Sequence, residues 1–132
     1  MTTLKVITKS RIELVDITAQ ARRAVESAGV ANGLCNLFVT HTTAGLMVSE
    51  NWDPDLTGDI LGRLERLVPH EAGYRHSEGN AQSHILSVML GVSVNIPVRN
   101  GTLALGRWQG VILTELDGPR ERSVIVTVIA GA

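Results

Sequence analysis

Val92-Ser93-Val94-Asn95-Ile96-Pro97-Val98-Arg99-Asn100-Gly101-Thr102-Leu103 is the stretch that decides the fold. Val92, Val94, Ile96 and Val98 recur at every second position, the period of a strand buried on one face. Asn100-Gly101 follows, and both residue types tolerate the left-handed backbone that a two-residue hairpin turn requires. Thr102 to Leu105 reads as the returning strand. Strands joined this tightly must be antiparallel, because a parallel pair needs a long crossover.

Downstream of the hairpin the chain stays in strands. Gly106-Arg107-Trp108-Gln109-Gly110 interrupts, Val111 to Leu116 resumes, and Asp117-Gly118-Pro119-Arg120 turns. Ser123 to Ile129 is a final apolar strand, too continuous for a sheet edge. Upstream, the period changes to that of helices. Ile85, Leu86, Met89 and Leu90 mark a short helix that starts at Ala81 and is closed by Gly91. Leu56, Ile60, Leu61, Leu64 and Leu67 mark another, opened by Asp53 as N-cap and Pro54 at the first helical position, and stopped by Pro69. A helix is also expected from Thr18, with Asp16 as its cap, an apolar stripe of Ile17, Ala21, Ala24, Val25 and Ala28, and Gly29 at its close. Further strands read at Thr2–Thr8, continued by Ile12–Val15 after a kink near Ser10, at Leu34–Thr40 after the Asn32-Gly33 turn, and at Gly45–Ser49. Such segregation predicts one α+β domain over residues 1–132. Its sheet would be largely antiparallel, with mixed pairing left open, and flanked by about three helices.

Composition narrows the function. Twelve basic and 13 acidic residues leave a net charge of −1, which is no electrostatic footprint for nucleic acid. No apolar run reaches membrane-spanning length, and no signal-peptide pattern opens the chain. Cys35 is the only cysteine, so an intrachain disulfide is impossible and a reducing cytoplasm is the expected location. Its setting between Leu34 and Leu37 suits a buried, inert thiol better than a nucleophile.

Chemistry concentrates in Tyr74-Arg75-His76-Ser77-Glu78-Gly79-Asn80-Ala81-Gln82-Ser83-His84-Ile85, which holds two of the four histidines. Gly79-Asn80 reads as a turn. His76 therefore lies on a loop and His84 on the first turn of the helix it enters. His41 ends an apolar run and opens the polar insertion His41-Thr42-Thr43. Three histidines at a strand end, a loop and a helix start could hold a divalent metal such as zinc, with an open position for water or substrate. The competing reading makes one of them a buried hydrogen-bonding residue and leaves the others in water. His70 reads as an exposed bystander.

Glu50 and Asn51 follow a strand and precede a helix cap, so they could point into a cleft, whereas Asp55 and Asp59 suit the helix dipole. Glu115, a charge on an apolar strand, is expected to face a cleft or a partner. Arg120 offers a guanidinium fork for phosphate oxygens. Arg122, like Arg75, stands near the same polar loops, and the competing reading, a surface charge paired with Glu121 or Asp117, suits Arg122 better than Arg120. Trp108 is expected to anchor the core or, failing that, to edge a substrate pocket. Glu50, Glu115 and Arg120 are thus the candidate catalytic residues. Thr42, Asn51, Asn80, Trp108 and Gln109 are the candidate substrate contacts, and His41, His76 and His84 the candidate metal ligands.

His41-Thr42-Thr43-Ala44, Glu50-Asn51, Asp53-Pro54-Asp55, Tyr74-Arg75-His76, Gly79-Asn80-Ala81, His84-Ile85, Gly106-Arg107-Trp108-Gln109-Gly110 and Glu115-Leu116-Asp117-Gly118-Pro119-Arg120 together resemble the YjbQ family, small proteins also named secondary thiamine-phosphate synthases. The resemblance runs from about Lys5 onward. It implies a homotrimer, a site near a subunit boundary, and a metal on His41, His76 and His84. The implied activity joins a pyrimidine diphosphate to a thiazole phosphate, giving thiamine phosphate and pyrophosphate, as a secondary activity. Pyrophosphate chemistry usually employs magnesium, which prefers oxygen ligands, so the substrate could bring its own ion. Two other classes compete: a metal-dependent hydrolase of a small substrate, and a non-enzymatic trimeric protein that binds a metal or ligand.

Overall fold

Asn100 and Gly101 adopt positive φ, 53° and 80°, and close the expected hairpin between β5 (Ser93–Arg99) and β6 (Thr102–Leu103). The computed structural model describes residues 1–131. The remaining elements are β1 (Thr2–Ile7), β2 (Glu13–Asp16), α1 (Thr18–Ala28), β3 (Gly33–Val39), β4 (Ala44–Glu50), α2 (Pro54–Leu67), α3 (Ala81–Leu90), β7 (Gln109–Glu115) and β8 (Glu121–Ala130). The fold is an α+β domain in which every strand pair described is antiparallel. The strands divide between two sheets, ordered β1-β8-β3-β5-β6 and β2-β7-β4. The continuous apolar run at the C-terminus is interior, as expected, with β1 and β3 on its two sides.

Ile12 to Val15 does not extend β1. The Glu13 carboxylate accepts the backbone N–H groups of Lys9 and Ser10 at 2.7 and 2.6 Å. That local turn redirects the chain, and β2 pairs with β7 in the other sheet. The cap of α1 is also displaced. Ile17 occupies the N-cap position, while Asp16, one residue earlier, accepts the Thr18 N–H at 2.9 Å. Gly29 closes that helix in the left-handed conformation, φ 67°. Asp53 caps α2 as the sequence predicts, accepting the Asp55 N–H at 2.9 Å with Pro54 at its first turn.

Apolar side chains from both sheets and α1 share one core. Leu37, Val39, Ile96, Val124 and Val126 meet Leu46, Val111 and Leu113, with Ile17 at the cap of α1 and Ala21 and Val25 within it packed among them. A smaller cluster of Val68, Leu86 and Leu116 lies with Leu64 of α2 and Leu90 of α3. Cys35 is buried in the main core, and burial pushes its thiol up to about 11, far from a reactive thiolate. No helix among the described residues is long and apolar enough to cross a membrane.

Polarity across α3 is inverted. Gln82, Ser83 and Ser87 face inward and donate to the Val68, Leu116 and Ala44 carbonyls at 2.8, 2.6 and 2.7 Å. Ile85, Val88 and Met89 face out, and Val88 is 84% exposed.

Gly110 in β7 sits under the Asn51 side chain. A Cβ there would lie 2.2 Å from Asn51 Nδ2 and 3.1 Å from Thr18 Oγ1. Gly110→Ala is therefore expected to cost about 1–3 kcal/mol through overpacking. Denaturant unfolding of the double variant with Asn51→Ala should recover most of that loss. Equal losses in single and double variants would place the strain elsewhere.

Candidate functional site

Beneath the candidate site lies a charge pair that water does not reach. Glu115 ends β7 and is 0% exposed; Arg122 is the second residue of β8 and is 1% exposed. Arg122 Nε donates to both Glu115 oxygens at 2.9 and 3.0 Å, and its Nη2 donates to the same carboxylate. Glu115 also accepts the Thr8 hydroxyl at 2.6 Å and the backbone N–H groups of Leu116 and Asp117 at 3.0 and 3.1 Å. Burial pushes the Glu115 carboxyl up, but the hydrogen bonds from Arg122 and Thr8, the Asp117 N–H and the Arg122 charge outweigh it, and the group ends below its ordinary value.

From this pair the network reaches the surface. Arg122 Nη2 donates to the Thr43 carbonyl and hydroxyl, both at 2.9 Å, and so fixes the insertion after β3. The adjacent Ser123 N–H donates to His41 Nε2 at 3.0 Å. Burial lowers the His41 pKa, as do the charges of Arg122, Arg120 and Lys5, while Glu115 opposes them. His41 is held as a neutral ring with Nε2 as acceptor, which puts its proton on Nδ1.

His41, Thr42 and His84 line one apolar cavity of about 720 Å³, walled by Phe38, Val39, Val88 and Val92. His84 also lines a second opening with Tyr74, Arg75 and His76. The His76 and His84 rings meet edge to face with centroids 5.1 Å apart. Asn80, at the N-cap of α3, donates to Asp117 Oδ2 at 2.9 Å, and Arg120 lies 3.5 Å from the same oxygen. His41, Thr42, His76, His84, Asn80 and Arg120 therefore gather at one end of the molecule.

Residues 2–131 match the family described as UPF0047 protein YjbQ-like. The chain belongs to this family. YugU of Bacillus subtilis is 39% identical over 96% of this chain and 97% of its own length. A UPF0047 protein of Archaeoglobus fulgidus is 44% identical over 92% of this chain and 95% of its own. Among solved structures, a YjbQ/UPF0047-family protein of Clostridium acetobutylicum superposes with a TM-score of 0.95 at 42% identity, covering 98% of this chain and all of that one. A conserved protein of Thermus thermophilus gives 0.87 at 44% identity, covering 98% and 100%.

Within this UPF0047 chain several sequence expectations change. Glu115 faces no cleft; every direction around its carboxylate is taken, so it supports the site without touching a substrate. Arg122 is not a surface charge but the partner of Glu115. Trp108 is 55% exposed and belongs to neither core cluster, because it stands in the turn before β7. Glu50, Asn51, Trp108 and Gln109 gather at the far end of β4, where Glu50 pairs with Gln109 while Ala44 pairs with Glu115. Six residue steps along a strand put about 20 Å between the two ends.

The donor set fits a three-histidine metal shell poorly. Among the described residues no three His, Cys, Asp or Glu side chains group as a shell needs. His41 Nε2 is already committed to an N–H donor, and the proton on Nδ1 leaves no lone pair for a cation. His76 and His84, with ring centroids 5.1 Å apart, are close enough to share one.

Two outcomes test this network. Arg122→Met should cost about 3–5 kcal/mol, because Glu115 would stay buried and unpaired. Adding Glu115→Leu should recover most of the loss in urea unfolding; no recovery would mean the charges themselves are needed for folding. The second outcome concerns pH. His41 is neutral in the fold below its ordinary value of 6.5, so its contribution is present above that value and is lost as pH falls through its lowered folded value. Parent stability should therefore decline from about pH 6.5 downward, and His41→Asn should flatten the decline. Identical slopes in both proteins would exclude His41 as its source.

Proposed function

We propose that the pocket between His41 and His84 is the active site of an enzyme acting on a small phosphorylated substrate, with a reaction of the thiamine-phosphate synthase type. The observation that carries this reading is two imidazoles on one apolar cavity, with the Arg120 charge close enough to act on His41. Phe38, Val88 and Val92 offer walls for a planar heteroaromatic ring. In this transfer the thiazole nitrogen attacks the methylene carbon of the pyrimidine diphosphate. The carbon–oxygen bond breaks, and its electron pair leaves on the diphosphate. Negative charge then grows on the leaving oxygens. Arg120 supplies a guanidinium for it, and His84, on the first turn of α3, supplies a ring donor. Magnesium bound to the diphosphate belongs to the substrate in this scheme.

The contact between His76 and His84 favours a second reading, a metal-dependent hydrolase, because two imidazoles that close can share a cation. In either reading the protein works in the cytoplasm, where one buried cysteine meets no demand for pairing. The same proposal includes a homotrimer. Its support is the outer face of α3, where Ile85, Val88 and Met89 stand exposed beside the cavity. A helix apolar on its outer side needs a cover.

The deciding experiment incubates the protein with both substrates and magnesium, detects thiamine phosphate, and measures metal content in parallel. Product from the parent, with kcat/KM reduced about a hundredfold or more in His84→Ala and Arg120→Ala, is the expected result. No product from the parent, together with near-stoichiometric metal that is lost from both His76→Ala and His84→Ala, would favour the hydrolase. Light scattering tests the assembly: the parent should show a trimer mass and the Val88→Asp, Met89→Lys variant a monomer mass. A monomeric parent would remove the trimer.

A further inference from the structure

The end of β4 away from the histidines carries the only two tryptophans of the chain. Trp52 is 68% exposed and Trp108 55%, and neither contributes to a core cluster. Their rings meet with centroids 6.2 Å apart and planes at 85°. Two perpendicular indoles form a corner that leaves ring surface open to water. The Arg107 guanidinium stands 4.9 Å from the Trp108 centroid, so one ring already attracts a cation from the chain itself.

Two shielded acceptors without donors belong to residues next to this corner in sequence and register. Glu50, two residues before Trp52, pairs in register with Gln109, the neighbour of Trp108. Glu50 Oε2 is shielded from solvent and has no hydrogen-bond partner. Asn51 Oδ1 is in the same state, while the amide nitrogen of that side chain donates to Asp16 Oδ2. A shielded, unpartnered carboxylate oxygen is unfavourable until a cation or donor reaches it. Asp16, Asp53 and Asp55 lie nearby in sequence or by contact and make the surroundings more negative. Arg107 is the basic side chain that the structure places against the rings.

We propose that this corner binds a small organic cation, a quaternary or protonated amine, between the tryptophan faces and the Glu50 carboxylate. The site is about 20 Å along β4 from the histidine pocket and rests on no part of the reading given to that pocket.

Because Trp52 and Trp108 are the only tryptophans, indole fluorescence of the whole protein reports on this corner alone. The probe is choline chloride, titrated against sodium chloride at equal ionic strength. Its neutral isostere 3,3-dimethylbutan-1-ol controls for shape. Choline should give a saturable change, with the isostere at least about tenfold weaker. Glu50→Gln, which keeps both reporters, should weaken choline binding about tenfold, and Arg107→Ala, which removes the resident cation, should strengthen it. The proposal is overturned by an unsaturable response, by an isostere that binds as well as choline, or by Glu50→Gln binding unchanged. The isostere comparison uses the parent protein, so it stands even where a variant fails to fold.

Discussion

The buried pair of Glu115 and Arg122 fixes more of this molecule than any other contact. Its two residues belong to different sheets, β7 in one and β8 in the other, and water reaches neither. Two charges taken from water are costly unless every lone pair and proton finds a partner. Here the carboxylate also accepts from Thr8 at the end of β1 and the backbone N–H groups of Leu116 and Asp117, and Arg122 Nη2 donates to Thr43 after β3. A slide of one sheet against the other would break several of these bonds together. The pair therefore sets the relative position of the sheets, a task that apolar packing, being non-directional, performs loosely. The same bonds hold His41 and Thr42 at the pocket, since Thr43 is their neighbour and Ser123 follows Arg122. Sheet alignment and site geometry are one constraint.

The inverted helix α3 has a related origin. The carbonyls of Ala44, Val68 and Leu116 lie at a strand start, a helix end and a turn. Buried carbonyls there need donors as much as those in a ladder do. Gln82, Ser83 and Ser87 supply them, so the inner face of the helix is polar by necessity. Its apolar residues are left for the outside, where Val88 helps to wall the cavity. The helix thus serves the domain through hydrogen bonds and keeps its apolar surface for whatever lies beyond it.

Much of this was legible from residue order. Period-two valines, Asn100-Gly101, Asp53-Pro54 and Gly29 each have a local cause, and each behaves as read. Features that depend on distant residues were harder. Nothing local in Ile12 to Val15 says that it joins a second sheet; the Glu13 carboxylate turning back on Lys9 and Ser10 decides it. Arg122 did leave a trace. It shares the parity of Val124 and Val126 on β8, and Glu115 shares that of Val111 and Leu113 on β7. A charge at an inward position on each of two strands is a pattern that points to their pairing. For Trp108, size and apolarity suggested the core, but its place in a turn before β7 decided otherwise.

The candidate residues divide because β4 and β7 form a straight antiparallel ladder whose ends point opposite ways. His41 and Thr42 precede β4, while Glu50 and Asn51 finish it. The register runs unbroken over all seven pairs, from Ala44 with Glu115 to Glu50 with Gln109. Sequence proximity to one strand was therefore a misleading guide to a shared site: a strand separates what a turn or helix would gather. The chemistry of the ends differs in the same sense. The histidine end offers Arg120 and imidazoles that can donate, which suits anionic oxygens. The tryptophan end offers aromatic faces and acceptors, among them Glu50 Oε2 without a partner, which suits a cation. Coulomb attraction alone would sort ligands of opposite sign to opposite ends of the same ladder.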